Sequence, residues 1–475
     1  MSDAMSDTYS WADHRVFAAP AAPDGRALLF GADHASLFAI DRATQEVLDR
    51  WRTREPIVLD DAPVPEREVL EALRDAQVLV PSAWLRRPAP EAIDPAAIPL
   101  GTLVLEAAQA CNLRCTYCYA GGGSYGGAAR LMDPELARRA ARFLVDASGD
   151  RESVTLVLFG GEPLLNLPAL KAAVLEGEAA ARARGKQLVV SLTTNGTRFT
   201  PEVLAFLREH PVAISVSIDG PPDLHDANRR YPGARGGGTY ADIVAGLAVL
   251  RAHLPRPPAA RVTLTPDQWG RIPEVFDHVR GLGFVEVGIA PASPVNAALL
   301  PTPAQEEALF AGFGELAGRF ADEAAAGRVL PFSNVLDLLA RLHLGKVKDA
   351  PCGAGLGYLA LDAEGSLFLC HRLAGVERFR VGDLDAGIDH AGIRASLAEQ
   401  AAPRRAACSA CWARKLCAGG CHHDNHVRES ELGLPPGGSC DFIRRWLELG
   451  LQVYAGLSRD PGNPVLAFLG RRADG

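Results

Sequence analysis

The segment CNLRCTYC at residues 111–118 decides how the rest of the chain is interpreted. Its three cysteines, Cys111, Cys115 and Cys118, have the spacing C-x3-C-x2-C and follow an apolar run at 102–105 that predicts a β-strand. Three thiolates on one tight loop can bind three irons of a [4Fe–4S] cluster, which leaves the fourth iron open to a substrate or cofactor. The alternative is a zinc loop. Structural zinc normally takes four ligands, however, and this loop supplies no fourth Cys or His.

Downstream of this loop, strand-like runs alternate with helical segments. The predicted strands lie at 102–105, 154–159, 187–193, 212–218, 261–264 and 284–290, and the predicted helices at 134–147, 167–184, 201–210, 240–253 and 272–282. The alternation predicts a parallel sheet with helical crossovers, which is an α/β architecture. Six βα units suffice for an open, partial (βα)6 barrel and fall short of the eight in a closed TIM barrel. Because such barrels carry their chemistry at the C-terminal ends of the strands, the residues just after each strand form the candidate site.

Polar, glycine-containing segments follow the second, third and fourth predicted strands. They are FGGEPLLN (159–166), TTNGT (193–197) and SVSIDG (215–220), and HDANR (225–229) comes shortly after the last of them. Each of the first three, taken alone, is an ordinary turn sequence. In this order, each after its own strand and behind a cysteine loop with Tyr117 before its last cysteine, the segments resemble the radical SAM superfamily.

The resemblance implies a [4Fe–4S] cluster on the three loop cysteines, with S-adenosylmethionine (SAM) chelated to the open iron. One-electron reduction then yields a 5′-deoxyadenosyl radical, which abstracts hydrogen from an unactivated C–H bond. Glu162 and the backbone around it are expected at the methionyl amino group, and Arg229 at the methionyl carboxylate. Thr194 and Asn195 are expected at the ribose. The cofactor-binding positions implied are Tyr117, Gly160, Gly161, Glu162, Pro163, Thr194, Asn195, Ser217, Asp219 and Arg229.

Seven more cysteines lie in the C-terminal part of the chain. They are Cys352, Cys370, Cys408, Cys411, Cys417, Cys421 and Cys440. Their spacing alone suits a pair of zinc knuckles as well as iron–sulfur clusters, because both use four-cysteine sites. Behind a radical SAM barrel, the pattern resembles the seven-cysteine SPASM domain.

The SPASM resemblance implies two auxiliary [4Fe–4S] clusters, and therefore three clusters in the whole chain. One would be bound by Cys408, Cys411, Cys417 and Cys440, and the other by Cys352, Cys370 and Cys421. The second set is one cysteine short. Asp349, water and a substrate thiolate are the alternatives for the missing ligand. His371, which follows Cys370, is a candidate catalytic, cavity-lining or iron-binding residue.

The predicted domain boundaries follow from these motifs and from composition. Residues 1–95 form an N-terminal unit with a linker that continues to 99, 96–300 the barrel, 301–350 a helical bridge, 351–458 the SPASM domain and 459–475 a C-terminal tail. In the N-terminal unit, apolar runs at 27–30 and 37–40 predict strands, and the spacing at 66–73 predicts a helix. This unit resembles the winged-helix modules with which peptide maturases bind a leader segment, for which β-augmentation is a known mode. A plain packing subdomain is the alternative.

Composition excludes several classes of protein. With 475 residues the chain is too long for a single hydrophobic core. A net charge of −8 without a basic stripe argues against nucleic acid as a partner, and no apolar run approaches the roughly 20 residues needed to cross a bilayer. The polar, acidic N-terminus predicts a cytoplasmic protein, in which ten cysteines are more often metal ligands or catalytic groups than disulfides.

The span from about 100 to 457 resembles one branch of the SPASM enzymes. This branch contains the maturases that form thioethers in cysteine-rich peptides and the maturation enzymes of quinohaemoprotein amine dehydrogenase. The ending SCDFIRRWLELGLQVYAGLS (439–458) is most similar to the latter. The resemblance implies a peptide or small-protein substrate that receives Cys-to-Asp/Glu thioether crosslinks, and a flavodoxin- or ferredoxin-type reductant.

Other functions stay open at this point. Epimerisation, carbon–carbon crosslinking and ranthipeptide-type maturation are alternative peptide modifications. Formylglycine formation by sulfatase-type maturases is disfavoured, because that family has an Asp after the second SPASM cysteine, where this chain has His371. A non-catalytic iron–sulfur electron-transfer scaffold is a rival from another class, and the intact SAM-binding segments argue against it.

Overall fold

The computed structural model describes residues 8–18, 26–85, 93–233, 237–401 and 405–473. Part of the predicted linker, residues 86–92, lies outside the described residues. Among the described helices, none is both long and apolar enough to cross a membrane.

Residues 8–85 contribute to two apolar cores. One is made only of their own side chains, and the other is the main core of the molecule, to which they add Phe17, Leu28, Phe30, Ala32 and Ala35. Strands β1 (Thr8–Trp11), β2 (His14–Ala18), β3 (Ala27–Gly31) and β4 (Ser36–Ile40) are followed by α1 (Arg42–Trp51), β5 (Ile57–Val58), α2 (Val64–Asp75), β6 (Leu79–Pro81) and α3 (Ser82–Leu85). In one antiparallel sheet β3 lies between β2 and β4, and in the other β1 lies between β5 and β6. The predicted strands at 27–30 and 37–40 and the predicted helix at 66–73 are confirmed. The sequence does not predict β1 and β2, because each buries only one side chain and neither forms an apolar run.

The six predicted barrel strands are confirmed, and they lie side by side in chain order as a parallel sheet. The elements of this region are β7 (Thr102–Gln109), β8 (Arg114–Cys115), β9 (Arg130–Leu131), α4 (Pro134–Asp146), β10 (Ser153–Gly160), α5 (Leu167–Ala183), β11 (Gln187–Thr194), α6 (Pro201–Glu209), β12 (Val212–Ser217), α7 (Pro222–Asn228), β13 (Arg229–Arg230), α8 (Tyr240–His253), β14 (Ala259–Leu264), α9 (Ile272–Gly281) and β15 (Val287–Pro291). The last strand begins at Val287 rather than at the predicted residue 284, because Gly283, with φ of 80°, turns the chain after α9.

Side chains alternate between two environments along the barrel strands. On β10, Leu156 and Leu158 are fully buried in the core that the helices cover, whereas Val157 and Phe159 are partly exposed. Successive residues of a strand point to opposite faces of the sheet, so the second pair lines an inner wall. The same alternation occurs on β11, β12 and β14. The partial barrel therefore encloses an accessible space, which we call the lumen.

The C-terminal region adds helices and a short antiparallel extension of the same sheet. Its elements are α10 (Pro303–Ala325), α11 (Ser333–His343), β16 (Tyr358–Leu361), β17 (Ser366–Phe368), β18 (Arg380–Asp383), β19 (Gly387–Ile388), α12 (His390–Ala401), α13 (Arg405–Ser409), α14 (Arg414–Cys417), α15 (His422–His426), α16 (Cys440–Leu457) and α17 (Pro464–Ala473). Helix α17 lies within the segment predicted as a tail. The apolar side chains of Val465 and Leu469 are fully buried, and this accounts for its docking.

Both edges of the barrel sheet are covered. At one edge β16 pairs in parallel with β7, so the cysteine-rich region begins as a continuation of the barrel. At the other edge the Asn334 side chain accepts a hydrogen bond from the Ile289 amide (3.0 Å) and donates one to the Ile289 carbonyl (2.8 Å). The first and last of the six barrel strands therefore both have backbone hydrogen-bond partners outside the barrel.

Candidate active site

The loop after β7 places Cys111, Cys115 and Cys118 at the C-terminal end of the first barrel strand. A short antiparallel pairing fixes this loop, with Cys115 on β8 opposite Arg229 on β13. The pKa of Cys111 is raised to about 11, mainly by burial and further by Glu162 and the other two thiols. The three thiols are thus neighbours in a partly dehydrated site, where a bound metal cluster would stabilise their thiolate forms.

The ten cysteines all lie among the described residues and form no disulfide. Among the described residues, no three His, Cys, Asp or Glu side chains are arranged so that they could hold one metal ion. Structural zinc needs four ligands in contact with a single ion, whereas the thiolates of an iron–sulfur cluster bind separate irons. The cluster assignment of the loop cysteines stays a prediction.

The Gly-Gly-Glu segment after β10 packs directly on the cysteine loop. A Cβ atom on Gly160, whose φ is 132°, would lie 2.4 Å from the Ala108 carbonyl oxygen, and one on Gly161 would lie 2.4 Å from that of Ala110. The Gly161 amide donates to Ala108 (2.7 Å) and the Glu162 amide to Ala110 (2.9 Å). Only glycine allows this approach. Because a cofactor amino group donates hydrogen bonds, the groups of this segment that could accept them are its backbone carbonyl oxygens.

Glu162 joins the loops after β10 and β11. Its fully buried carboxylate accepts hydrogen bonds from the Thr194 hydroxyl (2.7 Å) and from the Asn195 amide (2.7 Å). Burial raises the pKa of Glu162 despite these bonds. The Asn195 side chain donates in turn to Asn112 in the cysteine loop (2.9 Å). The predicted residues of both motifs are therefore in contact, and the contacts of Glu162 and Thr194 with SAM stay predictions.

Arg229, Tyr117 and Asp219 form a second buried group beside the cysteine loop. Arg229 donates to the Tyr117 hydroxyl (2.9 Å), and that hydroxyl donates to Asp219. The amide of Thr263, on the next strand, donates to Asp219 (3.0 Å). The Nε atom of Arg229 is buried without a hydrogen-bond partner among the described residues. Since an unsatisfied buried donor is costly, this atom marks a place for an anionic group, as expected for the methionyl carboxylate.

The other predicted cofactor positions lie around the same end of the barrel. Ser217 ends β12 and is partly exposed, while Pro163 is buried at the start of the turn after the Gly-Gly-Glu segment. The residues present thus fit a [4Fe–4S] cluster on the loop cysteines and a SAM molecule beside Arg229 and the Gly-Gly-Glu carbonyls.

The C-terminal cysteines come together in the two sets that the resemblance implied. Burial and the neighbouring Cys421 and Cys352 raise the pKa of Cys370 to about 12. The pKa of Cys440 is raised by burial and by the remaining set members Cys408, Cys411 and Cys417. Lys348 lies near one cysteine of each set, so the two sets are neighbours. Their role as cluster ligands stays a prediction.

A sharp turn separates Cys417, which belongs to one cysteine set, from Cys421, which belongs to the other. Helix α14 ends at Cys417, and Ala418, Gly419 and Gly420 all have positive φ, at 56°, 98° and 79°. This conformation suits glycine, and it is costly for Ala418. The strained turn reverses the chain within three residues and separates the two ligands.

Arg372 connects the cysteine-rich region with the barrel, and sequence reasoning missed it. Its guanidinium donates to the Cys421 sulfur (3.4 Å) and pairs with Asp424 (3.1 Å). It also donates to the Ser293 hydroxyl, just after β15, and lies 5.2 Å from the centre of the Tyr119 ring. A basic residue beside two predicted ligand positions was the available signal.

His371 lies beside a predicted cluster ligand, whereas Asp349 forms an ion pair with a lysine. His371 Nδ1 is 2.5 Å from the Tyr358 hydroxyl and 3.7 Å from the Cys370 sulfur. Burial, then Arg372, lowers the pKa of His371 to about 3, so the ring is neutral at neutral pH. Asp349 pairs with Lys415 at 2.5 Å. That ion pair weakens Asp349 as the missing ligand, and a catalytic role of His371 stays a prediction.

Comparisons with known proteins match this architecture. Residues 105–282 match the family model of the radical SAM superfamily. The chain is 26% identical over 336 residues to a serine-type anaerobic sulfatase-maturating enzyme of Klebsiella aerogenes, covering 68% of this chain and 80% of the other. It is 30% identical over 139 residues to a cysteine-type enzyme of Clostridium perfringens, covering 28% and 36%.

Two solved structures share the fold. The structure of anSMEcpe with bound AdoMet superposes with a TM-score of 0.64 at 18% identity, covering 76% of this chain and all of the other (100%). Streptococcus suis SuiB bound to the precursor peptide SuiA gives a TM-score of 0.51 at 14% identity, with 87% and 96% covered. At these identities the likeness concerns the fold.

Proposed function

We propose that the chain is a radical SAM peptide or protein maturase whose product is a Cys-to-Asp/Glu thioether crosslink, on the basis of the match of residues 105–282 to the radical SAM family model. The cofactor would supply a 5′-deoxyadenosyl radical that removes a hydrogen atom from the substrate. The enzyme class is supported by the domain match and by relatives named as maturating enzymes. The thioether product rests on the cysteine-rich region.

One observation carries the thioether proposal: the incomplete cysteine set lies beside the cofactor loop. Tyr119 follows Cys118, and its ring centre is 6.4 Å from that of His371, which follows Cys370. Arg372 lies against the same tyrosine while it donates to Cys421. With three cysteines, this set leaves room for a fourth, substrate-derived thiolate. A thiol bound there would lie close to Tyr119, which directly follows the predicted cofactor loop.

The electron balance of thioether formation is consistent with two neighbouring cysteine sets. The substrate carbon loses a hydrogen atom, the thiol loses a proton, and the new C–S bond releases one electron. Auxiliary clusters can accept that electron. The two cysteine sets lie close together, because Lys348 is near one cysteine of each. A flavodoxin- or ferredoxin-type protein is the proposed partner that exchanges electrons with the clusters.

The protein's own residues surround the thiol site with aromatic and cationic side chains. Tyr119 is held against Tyr125 and His423, with ring centres 6.3 and 5.6 Å away. Arg372 adds a positive charge next to Cys421. A cation that donates to a thiolate stabilises it, so the site favours the ionised form of a substrate thiol as well.

Formylglycine formation is the second candidate function. The sulfatase-maturating relatives favour it, since one of them aligns over 336 residues. His371 argues against formylglycine formation, because it occupies the position where that family has an Asp. A neutral imidazole with a low pKa is a weak replacement for a carboxylate base.

Mass spectrometry of a co-expressed substrate separates the candidates. Each thioether removes two hydrogens from the substrate and one thiol from alkylation. Formylglycine made from cysteine also loses the thiol, but its aldehyde reacts with a hydrazide probe. An unchanged mass with a D-residue would indicate epimerisation, and a dehydrogenated product that keeps every thiol would indicate carbon–carbon crosslinking. Any of these three results overturns the thioether proposal.

A further inference from the structure

The inner wall of the barrel is built mostly from small or uncharged side chains. Ser191, Ser215, Ser217 and Thr263 are partly exposed there, on three neighbouring strands. Such a wall leaves space for a substrate segment and offers hydroxyl groups to it. On β14, a long charged side chain interrupts this part of the wall.

That side chain is Arg261. Its neighbours in sequence, Ala260 and Val262, are each 1% exposed on the core face, so Arg261 faces the lumen, where it is exposed. In register it lies beside Ser217 of β12 and Gly288 of β15. It therefore occupies the same wall as the predicted cofactor positions.

Gly288 makes room for the guanidinium. A Cβ atom at Gly288 would lie 3.2 Å from the Arg261 Nη1 atom and 2.8 Å from the Ser333 hydroxyl. The guanidinium thus extends across the glycine toward the last barrel strand, away from the cysteine loop on the first.

Arg261 has no counter-ion within the part of the chain that the structure describes. No carboxylate there forms an ion pair with it, and its guanidinium makes no hydrogen bond to another described residue. By contrast, Arg229 is tied to Tyr117 and lies beside Cys115. A guanidinium presents five donors in a fixed fork that matches a carboxylate. The lumen therefore contains an open carboxylate-binding group.

We propose that Arg261 binds the side-chain carboxylate of an acidic residue of the substrate and so turns a carbon beside that carboxylate toward the cofactor. This inference rests on the proposed function, which needs an Asp or Glu at the crosslink. The other carboxylate source is SAM itself, and Arg229 already provides a buried, unpaired donor for it.

Protection from phenylglyoxal, which modifies arginine side chains, tests the site directly. The reconstituted enzyme is treated with SAM present, and peptide mapping follows Arg261 and, as a control, Arg208, which is exposed on α6 outside the barrel. N-acetylaspartate methylamide and the glutamate analogue are the probes, with the asparagine and glutamine amides as neutral matches. We expect the acidic probes to slow modification of Arg261 about tenfold, the neutral probes to leave it unchanged, and Arg208 to respond to neither.

Two outcomes overturn the inference. Equal protection by acidic and neutral probes, or none by either, excludes a carboxylate site at Arg261. Complete protection by SAM alone assigns the guanidinium to the cofactor instead of the substrate. In co-expression with substrate, Arg261→Gln is expected to lower modified product about tenfold, with Arg208→Gln as the unchanged control. Analysis of the product distinguishes this inference from the proposed function. If the acidic probes alone protect Arg261 but no thioether forms, the proposed product is refuted and the carboxylate site at Arg261 is retained.

Discussion

At the scale of single residues, His225 makes the active-site end of the barrel sensitive to acid. Its Nδ1 accepts from the Asp219 amide (3.1 Å), and its Nε2 lies 2.9 Å from the Thr239 hydroxyl. Burial, then Arg229, lowers its pKa from 6.5 to about 3. Between these values the unfolded chain binds more protons than the folded one, so stability falls as the pH drops below 6.5.

We expect His225→Gln to reduce this pH dependence, because the amide can make both hydrogen bonds without titrating. Relative to the variant, the wild-type free energy of unfolding should fall by up to about 1.4 kcal/mol for each unit of pKa shift as the pH decreases. Urea unfolding at several pH values measures it. His253→Gln, on the exposed end of α8, is the matched control. Parallel pH profiles for wild type and His225→Gln would contradict the expectation.

Residues that belong to an ordered motif can be predicted from the sequence, and isolated ones cannot. Glu162 and Thr194 follow consecutive strands, so the fold brings them to the same edge. Neither Arg372 nor Arg261 belongs to such an ordered motif. The contact of Arg372 with Ser293 spans 79 residues, and the exposure of Arg261 depends on the open lumen. Both depend on where distant elements pack.

At the scale of elements, the β8–β13 pairing fixes the cysteine loop after β7 without involving a C-terminal cysteine. Cys115→Ala removes one thiol but keeps the backbone pairing with Arg229. We expect 5′-deoxyadenosine formation to be lost, while iron content falls from about 12 to about 8 atoms per chain. Anaerobic reconstitution with iron and sulfide analysis measures this. A variant that forms 5′-deoxyadenosine at the wild-type rate would refute the assignment, as would stoichiometric zinc in the wild type.

The four-cysteine set depends on an element outside the cysteine-rich region. Trp412, next to Cys411, packs edge-on against Phe17 of β2 and Phe30 of β3, with ring centres 5.1 and 5.9 Å away. We expect Trp412→Ala to cost about 3–5 kcal/mol of stability and to lower iron content while 5′-deoxyadenosine formation persists. Chemical unfolding and iron analysis test it. Trp84→Ala, at a side chain 45% exposed, should have little effect on either; equal losses in both variants would count against the dependence.

The parallel barrel sheet was predictable, but pairings between distant or very short segments were not. The residues of β16 contain no information that this strand pairs in parallel with β7, because the pairing joins segments more than 250 residues apart. The pairing of β8 with β13 is likewise hidden, since each has only two residues.

At the scale of the whole molecule, the N-terminal unit is joined to the cysteine-rich region by charge as well as by aromatic packing. Arg414, between Cys411 and Cys417, pairs with Asp33 at 2.5 Å and also with Asp13. We expect a protein lacking residues 1–95 to bind substrate more weakly and to retain less auxiliary iron, with SAM cleavage affected least. Substrate binding, iron analysis and SAM cleavage assays separate the three effects. Full substrate affinity and full iron content in the truncated protein would rule out both roles of the unit.

The side chain of Asn334 has a consequence for how copies of this protein behave toward one another. An open barrel ends in an edge strand, whose unpaired backbone groups can recruit a strand from a second molecule. By occupying both the amide and the carbonyl of Ile289, Asn334 blocks the middle of that edge. Together with the Val287 amide, which donates to the Pro331 carbonyl (2.9 Å), this side chain makes the edge a poorer template for self-association.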